Sequence, residues 1–194
     1  MNRIIRNIIE QLEEIQKGKP WIGSTYQSKL NQVDPNEYFK RPIEDLHSVA
    51  EIISHLTLWR SEAILKVKTG KGSKTDDCEE NWLTNEKLKI IGWDKIKSSY
   101  DKTQSDLIEL LKLKNDDFLS EKYFDTDFKD YYTYNWLLNG MIHHDAYHLG
   151  QIGIILKYLK MIVCMHHYRL FLSQHHLTGS QLQLQVEPLL CRAG

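Results

Sequence analysis

The chain has 194 residues, 41% of them hydrophobic and 10% aromatic, enough to bury a core in what the length suggests is one domain. Its 25 basic and 26 acidic side chains leave a net charge of -1, which is not the basic footprint of a nucleic-acid-binding protein, so nucleic acid is excluded as a partner. Cys78, Cys164 and Cys191 are odd in number and form no close pair, which excludes a disulfide framework.

The first stretch, residues 2 to 17, predicts an amphipathic helix with Ile4, Ile5, Ile8, Ile9, Leu12 and Ile15 on one stripe, stopped by Gly18 and Pro20. Glu10, Glu13 and Glu14 interrupt it before any apolar run of signal-peptide length, and Lys157 and Lys160 break up the only long apolar stretch near the end. A cytoplasmic protein without a membrane partner is the expectation. Residues 21 to 42 have no sustained period and read as a long crossover loop, with Asp34-Pro35-Asn36-Glu37 as a cap and a short helical turn. Trp21, Tyr26 and Phe39 are expected to pack this connection onto the core.

A second long helix is predicted from Ile43 to Lys68, with Pro42 at its mouth, Glu44 and Asp45 in its first turn, and Gly70 after its end. It carries His55 near its middle, at the edge of the apolar stripe. Glu51, one turn earlier, could orient that imidazole or serve as a further ligand, although a solvated surface residue is the simpler expectation. The following GKGSKT, at 70 to 75, is not a phosphate loop: Ser73 precedes Lys74, and a helix comes before it where a strand is needed. Residues 70 to 92 read as polar and turn-rich. A third long helix spans about Asp94 to Lys112, burying Ile96, Tyr100, Leu107, Leu110 and Leu111. Residues 113 to 132, rich in Asp and aromatics, read as a lid or docked loop at a pocket mouth.

The fourth helix, Thr133 to Lys160, contains the chemistry. Leu137, Met141, Ile152 and Ile155 recur at helical spacing, and His144 and His148 fall on the same stripe. Residues four apart on a helix stand one above the other, so both imidazoles can converge on one metal ion. Burying two unpaired imidazoles is costly, whereas a metal satisfies both in the neutral form they prefer at pH 7. His55 taken alone reads more simply as a hydrogen-bonded core residue. His143, about 100° around the helix, is expected to be partly exposed or to support the site from outside it. His144-Asp145-Ala146-Tyr147-His148 has the spacing of the zinc-protease helix with Asp in place of the glutamate base, which makes Asp145 a candidate base. Gly140, Gly150 and Gly153 each cost about 1 kcal/mol in helix propensity, so close helix approach is expected to offset them. Residues 161 to 194, with two His-His pairs and an alternating QLQLQ run, read as a separate tail outside the 1 to 160 domain, or as a short helix through Phe171 and Leu172.

His-His-Asp-Ala-Tyr-His-x-Gly-Gln-Ile at 143 to 152, with His55 in the second helix, Trp21-x-Gly23 in the crossover and Arg41-Pro42 before the second helix, resembles the DinB/YfiT-like superfamily of metal-dependent enzymes. The resemblance covers residues 1 to 160. It implies an all-α four-helix bundle, often a homodimer, with His55, His144 and His148 as three ligands of a divalent metal, zinc or nickel. It also implies a small-molecule substrate and either hydrolase activity or a transferase reaction that uses a low-molecular-weight thiol such as bacillithiol or mycothiol. A bundle whose metal or histidines only stabilise the fold or a dimer contact is the alternative.

Overall fold

In a computed structural model of the chain, residues 2–175 are described. They form six helices and one small sheet: α1 (Arg3–Lys17), α2 (Tyr26–Leu30), α3 (Val49–Thr69), α4 (Asn85–Ile91), α5 (Trp93–Lys112), β1 (Lys122–Asp125), β2 (Asp130–Thr133) and α6 (Tyr134–His175). The long helices α1, α3, α5 and α6 make the four-helix bundle. The chain divides into two compact units between Leu156 and Lys157. The described part of the second unit is the continuation of α6, and residues 176 to 194, with the QLQLQ run and Cys191, lie outside the described residues.

The apolar stripe of α1 is buried through Ile5, Ile8, Ile9, Leu12 and Ile15. It shares one core with Ala63 and Val67 of α3, Leu107 and Leu111 of α5, and Leu138 and Met141 of α6. Asn2 supplies no side-chain cap to α1. Asp116 does so from far along the chain: its carboxylate accepts from the backbone N–H groups of Arg3 and Ile5 at 2.9 Å and Ile4 at 3.0 Å, where the helix dipole favours a negative charge. The turn over Pro35–Glu37 forms as expected, with the Asp34 side chain accepting from Asn36 N–H at 2.8 Å.

The second long helix starts six residues later than its acidic first turn suggests. Ser48 and Glu51 form a reciprocal capping box, Glu51 N–H donating to Ser48 Oγ at 3.2 Å and Ser48 N–H to Glu51 at 2.7 Å. This satisfies two orphan donors at once and outcompetes the looser signals at Ile43. Glu51 is therefore neither a solvated glutamate nor a partner of His55. It is 2% exposed and receives Arg41 at 2.6 Å. Burial works against its charge, but His47, Arg41 and the Ser48 amide hold its pKa at about 2.

The expected lid is a different structure. Residues 122 to 133 pair as an antiparallel hairpin with Tyr123 opposite Tyr132. Lys66 of α3 grips it through Asp125 at 2.7 Å, and Phe124 exchanges backbone hydrogen bonds with Gly70 and Gly72. Tyr123 and Phe118 stack around Tyr134 at the base of α6, so the aromatic residues serve as a bundle end. His144 lies ten residues along α6 from Tyr134, about 15 Å at 1.5 Å per residue, which takes the hairpin away from the histidines. In the crossover Tyr26 is buried against Tyr100 and Phe39 is half-buried, but Trp21 is 100% exposed and packs nothing. Finally, α6 runs past Lys160 to His175, since no Gly or Pro interrupts the sequence there.

Candidate metal centre

His144 and His148 project from α6 by their helical spacing, and His55 reaches them from α3. Their Nε2 atoms meet: His55 to His144 at 3.0 Å and His148 to His144 at 3.0 Å. One ring nitrogen from each of the three lies within 4.8 Å of the others, and among the described residues no other His, Cys, Asp or Glu joins the group. The Nδ1 atoms of His55 and His148 are committed elsewhere. His55 Nδ1 faces the backbone carbonyl of Asn81 at 3.2 Å, which can only accept, so Nδ1 carries the proton and Nε2 the lone pair. His148 Nδ1 likewise faces Gln151 Oε1 at 2.6 Å.

Lone pairs of neutral imidazoles pointed at one another repel unless a proton or a cation sits among them. An additional proton, which would charge one of the rings, is disfavoured here, so a cation or the Nε2–H tautomer of His144 is what can fill the centre. Burial, then the neighbouring His148 and His55, push the His144 pKa down to about 3. Burial and His55 push His148 down to about 4, against the pull of Gln151. Burial also lowers His55, against the pull of Asn81. Three nitrogens on separate neutral rings, two pairs of them 3.0 Å apart and all within 4.8 Å, fit a divalent ion with ligand distances near 2 Å, and the partners on the Nδ1 atoms of His55 and His148 are of the kind that orient metal-bound histidines.

Asp145 does not belong to this cluster. One residue on from His144 and so about 100° around α6, it is 1% exposed and accepts from Arg60 Nη2 through both oxygens at 3.1 and 3.0 Å. Burial opposes the charge on Arg60, but Asp145 keeps the guanidinium above its ordinary pKa. Burial raises the pKa of Asp145 itself against the pull of Arg60, but both its oxygens are engaged by a fully buried guanidinium, which sets it apart from the three histidines. His143 is exposed and outside the cluster.

The loop after α3, read as merely polar, supplies the rest of the site. Ser73 and Lys74 donate their backbone N–H groups to the buried carboxylate of Glu62, the latter at 2.6 Å, which occupies the donors a phosphate loop would need. Asn81 accepts at Oδ1 from Trp59 Nε1 at 2.8 Å and donates to the Asp76 carbonyl at 2.6 Å. Trp82 lies flat between His47, at 3.7 Å and 2°, and His55, at 4.0 Å and 9°. A backbone carbonyl has no side-chain signature, so the role of Asn81 was not readable from sequence. Gln151 carries a usable signal, its spacing of three residues from His148 on one helix face, although the motif by itself assigns it no role.

The DinB superfamily model matches residues 24–152. No curated protein matches the chain at a significant level. Among solved structures, YfiT from Bacillus subtilis, described as a probable metal-dependent hydrolase with an unusual four-helix bundle topology, is similar over 82% of this chain and 90% of its own. The TM-score is 0.59 and the identity 11%. At that identity the likeness is one of fold, and it agrees with the bundle built here. Kinship rests on the sequence match, which takes in His55, His144 and His148 and more than half of the residues; the chain belongs to the DinB superfamily.

Proposed function

We propose that the protein is a metal-dependent enzyme in which His55, His144 and His148 hold one divalent ion, zinc or nickel, and act with it on a small molecule. The observation that carries this reading is the convergence of three Nε2 atoms whose rings are neutral, two of them with Nδ1 already engaged. With three neutral ligands such an ion keeps its double charge and favours the deprotonated form of a water or thiol beside it. That chemistry serves a hydrolase, as YfiT is described, or a transferase that activates a low-molecular-weight thiol. The same reading places the protein in the cytoplasm as a homodimer. Among the described residues, no helix is long and apolar enough to cross a membrane.

An ion that only stabilised the fold would be closed off by a fourth side chain. Glu51, one turn from His55, is taken up by its cap and Arg41, which favours an open position. Metal content measured by mass spectrometry on the tag-free chain tests the assignment. We expect about one ion per chain, lost in His144→Ala/His148→Ala and sharply reduced in His55→Ala with helix content nearly unchanged. Undiminished occupancy in the double variant would sink the proposal.

A further inference from the structure

His144 and His148 keep their relation to each other through the helix they share. His55 comes from a different element, and rotation about its Cβ–Cγ bond is intrinsically loose. A half-turn of that ring would put a carbon where Nε2 now meets His144. Two consecutive loop residues oppose it in different ways: the Asn81 carbonyl takes the Nδ1 proton at 3.2 Å and so selects which edge of the ring faces His144, and Trp82, parallel to the ring at 4.0 Å, holds its plane and blocks the out-of-plane path of the half-turn. The indole also stands edge-on to His148 at 6.1 Å. Its outer face is covered by His47 at 3.7 Å, and His47 is itself 3.8 Å from the capping-box glutamate, Glu51. The ring plane of His55 is thus tied through two side chains, Trp82 and His47, to Glu51 in the first turn of α3.

We propose that Asn81 and Trp82 form a loop clamp that sets the tautomer and plane of His55, with Trp82 as the positioning residue of the metal centre. The clamp explains why a polar loop places a tryptophan between two imidazoles. Its value as a determinant of affinity rests on the metal reading given above, but its action on His55 exists without metal.

The test uses the full chain with Trp82→Leu, which removes the flat ring but keeps apolar bulk, and Trp82→Phe, which keeps a flat ring. Zinc affinity is measured by competition with a chromophoric chelator, and the tautomer of His55 by long-range proton–nitrogen correlation in the metal-free protein. Loss of an outer partner of a ligating histidine weakens metal binding about 10- to 100-fold, which is the effect expected for W82L, with most of the affinity retained in W82F. His55 should be in the single Nδ1–H form in wild type and W82F and mixed in W82L. Unchanged affinity and an unmixed tautomer in W82L would overturn the clamp. If wild type takes up no zinc, the metal reading fails and the tautomer alone decides: mixing in W82L supports the clamp and its absence overturns it. Should W82L not fold, His47→Ala, which frees the outer face of the indole, is read the same way, and wild-type affinity and tautomer in it would overturn the proposal.

Discussion

The imidazoles at the centre have folded pKa values below the ordinary 6.5, about 3 for His144 and about 4 for His148. As pH falls below 6.5, the unfolded chain takes up protons on these groups before the folded chain does. The stability they contribute is therefore complete above about pH 6.5 and is lost progressively below that, as pH falls through about 4 and 3. Glu51, lowered from 4.5 to about 2 by its partners, loses its share only below 4.5, so the interval from 6.5 to 4.5 isolates the histidines from this carboxylate. The melting temperature of metal-free protein should fall across that interval, and in His144→Ala/His148→Ala the slope should flatten; an equal slope in both would place the titration elsewhere. Asp145 makes the opposite prediction from a catalytic residue. Asp145→Asn keeps its shape but leaves Arg60, 0% exposed, without a counter-charge, which costs about 3–5 kcal/mol. Urea denaturation should show that loss, while zinc stoichiometry of the folded variant stays at that of wild type. Lost zinc with unchanged stability would return Asp145 to the site.

At the scale of elements, the long helices were legible because most of each stripe is buried as spaced: Ile5 to Ile15 in α1, Tyr100 to Leu111 in α5, Leu137 to Ile155 in α6, while Ile4, read onto the first stripe, is 55% exposed and Leu110, read into the face of α5, is only partly buried. Less was legible where a local signal competed with a stronger one, as at the start of α3, although Ser48-x-x-Glu51 is itself a readable pattern. The hairpin was hidden because Phe124, Tyr131 and Tyr132 do not alternate cleanly; strand pairing there leans on Lys66 and Gly70, distant in sequence. The glycines of α6 depart from expectation in a useful way. A Cβ at Gly140 or Gly150 would meet nothing within 4 Å among the described residues, and one at Gly153 only the end of Lys29, at 3.8 Å, so no close helix approach offsets their cost within the described structure. Gly140→Ala and Gly150→Ala should each stabilise the protein by about 1 kcal/mol, measured as a shift in urea midpoint. Destabilisation by either would mean that its surface is covered in the working protein, as it would be in a homodimer.

For the bundle as a whole, the centre joins two helices that α4, α5 and the β1–β2 hairpin separate along the chain. His55 belongs to α3, His144 and His148 to α6. An ion bound to all three therefore acts as a cross-link in the folded state and has no comparable site in the unfolded chain, where the three residues are far apart. Binding energy then adds to folding energy: zinc at 100 times its dissociation constant stabilises by about 2.7 kcal/mol. The melting temperature should rise with zinc and return on adding a chelator, in proportion to the logarithm of free metal. The discriminating variant is His55→Ala. It leaves the helical pair on α6 intact, so weak zinc binding persists, but that pair bridges nothing between α3 and α6 and is available in any helical fragment. The thermal shift should collapse by more than the loss of one core side chain can account for in the metal-free baseline. A His55→Ala protein that zinc stabilises as much as wild type would mean that the ion sits on α6 alone, and the meeting of the three rings would then be packing without coordination.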